Sequence, residues 1–457
     1  MVGIVIDRLS TQDLQILRRE AGPVRGHSCK VLVLERAGRR ALPTVDDLRA
    51  AMTARLDAAP RLRQRLVSTP LRIAPPAWAD DPEFDITRQV TAVPADGPVS
   101  RSRLEHIVAD LMGRRLDRSR PLWHLDVVEE LTDGAMALIW RLHHCMADGS
   151  TAMALASAVL WSPDATAEPG VARPWVPRRL PGRGALLTQG MRERGRQLMH
   201  PRVRTRTGTL ALLASRAALT RELSRTAAMT AFARRAGQSR SAALIQVPLE
   251  DCKRAGKAIS ESITLNDVLL AIIAGGLRAW LEQHDDPERG IRVKVPVSLH
   301  RSGEGVVANR DSFFFVDLPV SEPDPAVRVR AIGRQTLERK RDRDADVLYE
   351  LGLRPMVARW AMSPRVFTFN VSNVRGPADP VYVLGGRVRE LYALSEIAEG
   401  HAVRIAAISS SDTLAIGLLA DRRAVADLPA LAEGTRRAAQ EILAYVRRPG
   451  VSPGATG

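Results

Sequence analysis

The N-terminal third of the chain alternates between helical spacing of apolar residues and short continuous apolar runs. Thr11 to Glu20 reads as a helix that Ser10 or Thr11 can cap, and Lys30 to Glu35 reads as a buried strand. Thr44 caps a second predicted helix reaching about Ala58, with Asp46 and Asp47 placed in its first turn. A proline-rich loop covers about Pro70 to Pro82, and helical periodicity returns over Arg101 to Arg115. Ala135 to Leu142 reads as a strand that runs into His143-His144, followed by an Ala-rich helix from Ser150 to Leu160.

Residues 163 to about 206 are rich in Pro, Gly and Arg and read as a linker with little regular structure. Leu210 to Arg235 has helical spacing, with Leu212, Leu219 and Leu223 apolar. Alternation then resumes. Strands are expected near Ala243 to Val247, Arg292 to Val297 and Phe313 to Leu318, with a helix from Asn266 to Glu282 and helices over roughly 325 to 361. Further strands are expected near Phe367 to Val371, Val388 to Ala393, Val403 to Ser409 and Thr413 to Leu419, before a last helix from Leu428 to Val446. The pattern is α/β, in two sections (1–165 and 241–457) joined by a basic segment (166–240), without a short-period repeat.

At 457 residues, 45% hydrophobic and 26% charged, the chain can bury a substantial core. Aromatics make up 4%, so that core must rest on Ala, Leu, Val and Ile. The net charge of +16 is local: residues 171 to 240 hold sixteen arginines against Glu193 and Glu222, which is +14 of the total. That segment reads either as a solvated linker or as a contact for anionic lipid headgroups. It lacks the interleaved aromatics and accompanying motifs of a nucleic-acid-binding surface, so no nucleic-acid partner is expected. Cys29, Cys145 and Cys252 lie far apart, which argues against a disulfide framework or zinc knuckle. Residues 1–8 lack the features of a secretory leader, and the longest apolar run, Val268 to Leu277, is too short to span a bilayer. A cytoplasmic location is the expectation, with peripheral docking at the inner membrane face or on lipid inclusions through the basic segment.

The densest cluster of reactive residue types is His143-His144-Cys145-Met146-Ala147-Asp148-Gly149, where a strand ends and a helix begins. Acyl transfer to a hydroxyl needs a base near neutrality, and imidazole suits that task. Asp148 can orient such a base or shape its loop, and Gly149 permits a sharp turn. The same residues have plainer readings: His144 and Asp148 as metal ligands at i, i+4 spacing, or Asp148 as the cap of the following helix. A zinc site needs three or four ligands, and no other His or Cys pair supplies them, so no metal is expected. No Gly-x-Ser-x-Gly elbow, phosphate loop or dinucleotide fingerprint occurs, which removes a serine nucleophile, ATP and NAD from consideration.

The segment resembles the His-His-x-x-x-Asp-Gly signature of acyltransferases related to chloramphenicol acetyltransferase and the condensation domains of peptide synthetases. Within that superfamily the chain is similar to the bacterial wax ester synthase/acyl-CoA:diacylglycerol acyltransferase family. Leu116 to Trp123, ending in Pro121-Leu122-Trp123, matches its Pro-Leu-Trp segment, and Asn266-Asp267 its Asn-Asp motif. Val295 to Leu299, Asn309 to Ser312, and Ser372-Asn373-Val374-x-Gly376-Pro377 match further segments in order. The resemblance runs from about Arg8 to about Val446.

The resemblance implies two chloramphenicol-acetyltransferase-like subdomains with mixed sheets and an active-site channel between them. It further implies acyl-CoA as co-substrate with no cofactor, and diacylglycerol or a long-chain alcohol as acceptor. His144 would be the general base, supported by His143 and Asp148. Gly149, Pro121, Leu122, Trp123, Asn266, Asp267, Ser372 and Asn373 would line or support the channel. For several of these a structural role competes: core packing for Trp123, a helix start for Asn266 and Asp267, a turn in a Gly-Pro loop for Asn373. The chain departs from the family pattern at His27, Ser28 and Cys29, at Arg88-Gln89, and at His300, changes that bear on acceptor specificity. Carrier-protein-dependent condensation and non-catalytic lipid binding on the same fold are the competing functions.

Overall fold

The computed structural model describes residues 7–38, 41–168, 170–180, 182–199, 227, 230–284, 290–298, 311–341 and 360–446. Helices α1 (Thr11–Arg19), α2 (Val45–Arg55), α3 (Arg101–Met112) and α4 (Gly149–Val159) belong to the N-terminal half, and α5 (Arg183–Met199) follows in the basic segment. The C-terminal half holds α6 (Leu249–Ile259), α7 (Leu265–Gln283), α8 (Pro325–Arg341) and α9 (Leu428–Val446). Strands β1 (His27–Glu35), β2 (Gln64–Val67), β3 (Ala77–Asp80), β4 (Val90–Ala92), β5 (Trp123–Val128) and β6 (Met136–His143) precede the basic segment. After it come β7 (Arg240–Pro248), β8 (Ile291–Ser298), β9 (Asp311–Leu318), β10 (Phe369–Arg375), β11 (Tyr382–Val383), β12 (Gly386–Ser395), β13 (Val403–Ser410) and β14 (Thr413–Asp421).

Local chemistry explains most element starts. Ser10 Oγ accepts the Asp13 N–H at 3.0 Å to open α1, and Thr44 with Asp47 forms a reciprocal capping box that opens α2. Strands β1 and β6 read as near-continuous apolar runs because both faces of each are covered.

Two six-stranded mixed sheets organise the molecule among the described residues. The first has the order β11-β12-β1-β6-β5-β4 and the second β7-β14-β13-β10-β8-β9. Thus β11 and β12, from the C-terminal half, complete the N-terminal sheet, with Ser28 opposite Ser395 and Lys30 opposite Ala393. Each sheet carries its own apolar core. The sheets meet where β12 lies on β14, and a Cβ on Gly417 would stand 2.3 Å from the Ala393 carbonyl oxygen, so only glycine allows that approach. A buried ion pair braces the junction: Arg240 donates to Glu396 Oε1 through Nε and Nη2 at 3.0 and 2.8 Å, and to the Pro23 carbonyl at 2.6 Å.

Several expectations need correction. The proline-rich loop contains β3, paired with β2, because Trp78 and its neighbours are buried by β2 and Arg8. The segment 163–206 is not wholly irregular: α5 forms where Leu186 is buried, Gly190 rests on Ile73 and Ala74, and Glu193 pairs with Arg8 at 2.6 Å. Tertiary contacts, rather than the Gly- and Arg-rich composition, hold that helix. Helix α6 was not expected, whereas β5 starts at Trp123, where a strand start with a core Trp is one reading of Pro121-Leu122-Trp123. The helix expected over 210–235 lies largely outside the described residues, as do Leu212, Leu219, Leu223, Leu299, His300, Asn309 and most of 342–361. At its far end Ala231–Ala233 forms a 3-10 turn instead.

Candidate active site

His144 sits one residue beyond β6, where the backbone turns towards α4. Its N–H donates to the Gly26 carbonyl at 2.9 Å, tying it to the start of β1. Its ring lines a cavity of about 1180 Å³ between the two sheets. The walls follow the period-2 alternation of strands: Ser28 and Lys30 of β1 and Ser395 of β12 on one side, Ser372 of β10 and Arg404 and Ala406 of β13 on the other. His144 Nε2 is shielded from solvent and has no hydrogen-bond partner among the described residues. Burial first, then the charges of Arg404, His143 and Lys30, push its pKa down to about 3. The free site therefore holds a neutral imidazole with an open nitrogen.

His143 does different work. It is 1% exposed. Its Nδ1 accepts the Cys145 N–H at 3.1 Å, so the ring proton of the neutral form resides on Nε2, which donates to Glu20 Oε2 at 3.3 Å. Burial pushes the Glu20 carboxyl up, and the hydrogen bonds and charges of His143 and Arg118 outweigh it, holding Glu20 below the usual range. Gly26 makes this arrangement fit: it stands at φ +72°, and a Cβ there would lie 2.8 Å from His143 Nε2. Glu20, Gly26 and Arg118 are thus site residues that motif reading missed. The one available signal was Arg118, inside the segment ending Pro-Leu-Trp.

Asp148 caps α4, accepting the Thr151 N–H at 2.7 Å and the Ser150 hydroxyl at 3.1 Å. It also lines the cavity, so capping and a place at the site coexist. Gly149 lies against Val374 of β10, whose Cγ2 a Cβ would meet at 2.9 Å, and this contact closes α4 onto the second sheet. Ser372 and Asn373 reach the cavity from within β10, where Asn373 pairs with Ala407, rather than from a Gly-Pro loop.

Five expected channel residues lie elsewhere. Pro121, Leu122 and Trp123 are buried at the start of β5: Trp123 Nε1 donates to the Leu62 carbonyl at 2.8 Å, and the Leu122 carbonyl takes the His143 N–H at 2.9 Å. They serve the site only by holding the end of β6. Asp267 opens α7 through a capping box with Thr264 and accepts the Thr336 hydroxyl at 2.7 Å, and neither it nor Asn266 borders the cavity. Cys145 is buried and its thiol is pushed up by that burial, which suits packing rather than nucleophilic attack. Among the described residues no group of three or more His, Cys, Asp or Glu could hold a metal ion, and no helix is long and apolar enough to cross a membrane.

Two mixed sheets with a cavity between them are a fold that this chain shares with solved acyltransferase and condensation-domain structures. The wax ester synthase/diacylglycerol acyltransferase from Marinobacter aquaeolei VT8 superimposes with a TM-score of 0.71 at 22% identity, covering 97% of this chain and 100% of that one. The first condensation domain of the calcium-dependent antibiotic synthetase gives 0.59 at 14% identity, covering 99% and 98%. In sequence, residues 9–269 match the wax ester synthase/diacylglycerol acyltransferase catalytic domain and residues 307–443 the C-terminal domain of the same family. The "Probable diacyglycerol O-acyltransferase tgs1" of Mycobacterium tuberculosis strain H37Rv is 30% identical over 427 residues, covering 89% of each chain. The chain therefore belongs to the wax ester synthase/diacylglycerol acyltransferase family, and it is an acyltransferase.

Proposed function

We propose that this protein transfers a long-chain acyl group from acyl-CoA to the hydroxyl of a diacylglycerol or a long-chain alcohol, with His144 as general base and no covalent intermediate. The observation that carries the reading is the neutral Nε2 of His144, without a partner among the described residues and held in a large cavity between the sheets. The acceptor hydroxyl loses its proton to Nε2 as its oxygen attacks the thioester carbonyl. The tetrahedral intermediate collapses, the C–S bond breaks, and the departing thiolate takes the proton from the imidazolium. His143, bonded on both ring nitrogens, supports the loop and does not take part. Asp148 fixes the turn that follows.

The names of the relatives support diacylglycerol as one acceptor. The basic segment supports docking on an anionic lipid surface: among its described residues Val171 and Val176 are almost fully exposed and Met191 about half, beside Arg173, Arg178, Arg179 and Arg192.

The test follows thiol release from palmitoyl-CoA with hexadecanol or a diacylglycerol, in the wild type and His144→Ala. Acceptor-dependent release that falls by roughly 10²–10⁴-fold in the variant is expected. Undiminished release in His144→Ala would remove His144 as the base. Release that requires a carrier-protein thioester would favour the condensation-type reading.

A further inference from the structure

The cavity holds more positive charge than a route for neutral lipids needs. Lys30 is 2% exposed and projects from β1, and Arg404 projects from β13 in the facing sheet. Among the described residues neither forms a salt bridge, and Arg404 Nε is shielded from solvent without a hydrogen-bond partner. The carboxylates that act on them are otherwise engaged. Asp148, which acts on Lys30, caps α4. Glu396, which acts on Arg404, spends Oε1 on Arg240.

Holding a buried cation without full compensation is costly, because burial removes the water that would solvate it. That cost shows on both residues: burial lowers Lys30 to about 8 and Arg404 to about 10. It shows again on His144, where both depress the base. A further polar atom faces the same row, since Asn370, opposite Arg404 in the sheet, has no partner for its Oδ1 among the described residues. Lys294, opposite Asn370 on β8, does not share this role, because its ammonium sits 3.7 Å from the centre of the Phe313 ring and 3.5 Å from Met362 Sδ.

We propose that Arg404 and Lys30, one from each sheet, form the anion pocket of the active site and take the negative charge that the thioester carbonyl oxygen gains during attack. This rests on the His144 reaction above. As His144 Nε2 accepts the hydroxyl proton, the new C–O bond forms and the carbonyl π pair moves onto oxygen. The oxyanion then completes the charge balance of the two cations. When C=O reforms and C–S breaks, the pair leaves on sulfur and His144 returns the proton. The arrangement stabilises the charged intermediate while giving a neutral ester or alcohol little, which is the differential binding that lowers a barrier.

The experiment compares wild type with Arg404→Gln, Arg404→Lys and Lys30→Met, each checked for retained folding by circular dichroism. One arm measures turnover with palmitoyl-CoA and hexadecanol. The other measures binding of hexadecyl hexadecylphosphonate, a tetrahedral anion, against hexadecyl palmitate, its neutral counterpart. For Arg404→Gln we expect kcat to fall roughly 10²-fold, with KM for palmitoyl-CoA changed by less than about threefold. The phosphonate should bind at least about tenfold more weakly and the ester nearly unchanged, with Lys30→Met moving the same way and Arg404→Lys retaining part of the loss. Equal weakening of anion and ester, no change in either, or a rise in KM alone would overturn the assignment. A wild type without acceptor-dependent turnover would refute the proposed reaction, while the phosphonate arm would still decide whether the pocket binds an anion.

Discussion

Replacing Gly26 with alanine tests how the site is held together. At φ +72° an L-residue costs roughly 1–2 kcal/mol. The added Cβ would also stand 2.8 Å from His143 Nε2, closer than real Cβ atoms come, and a tight 3.3 Å from Cε1. His143 has nowhere to go, because Nδ1 is bonded to the Cys145 N–H and Nε2 to Glu20, in surroundings closed to solvent. Breaking the bond to Glu20 leaves a buried carboxylate short of a donor, worth roughly 1.5–3 kcal/mol. Together these give a destabilisation of about 3–5 kcal/mol. The Gly26 carbonyl also anchors the His144 N–H, and a displacement of about 1 Å at a reacting group can cost roughly 10²-fold in rate. Gly22→Ala is the control: Gly22 also has a left-handed φ, +53°, but nothing lies within 4 Å of the added Cβ. Denaturant midpoints and thiol-release rates for both variants separate backbone strain from the clash. If Gly26→Ala matches Gly22→Ala in stability and rate, the account of His143 as a rigid support is wrong.

Four further outcomes are expected. Because the pKa of His144 is depressed to about 3, kcat/KM should stay flat on acidification to roughly pH 5, well past the point where an unperturbed imidazole base loses activity; an acid limb near pH 6.5 would contradict this. The same depression, shared by His27, means the unfolded chain binds more protons below about pH 6.5, so stability should fall as pH drops through that range, as urea titrations at several pH values would report. Asp267→Ala removes the capping box and the Thr336 bond; it should cost about 2–3 kcal/mol in urea unfolding yet leave kcat of the folded enzyme nearly unchanged, because the residue does not border the cavity. Trp123→Phe loses one buried bond to the Leu62 carbonyl and should cost about 1 kcal/mol without altering KM, whereas a channel role would raise KM for one substrate.

Local pattern determined a good part of this protein. The capped starts of α1 and α2, the apolar runs of β1 and β6, and the His-His-x-x-x-Asp-Gly turn are written in neighbouring residues. Both the turn and the motifs around it placed the chain among two-sheet acyltransferases, because short-range sterics and hydrogen bonding are enough to specify them. What neighbours cannot specify is pairing across hundreds of residues. Strand β12 joins the first sheet beside β1, β5 and α6 form where distant segments cover them, and α5 is held by Ile73, Ala74 and Arg8. The site divides the same way. The sequence named His144 and Asp148, but only packing separates the open nitrogen of His144 from the fully bonded His143. Only packing sends Trp123 and Asp267 into supporting roles, and only the approach of two sheets brings Lys30 and Arg404 to one cavity. Burial and charge set the chemistry of those groups, and both are properties of the assembled fold.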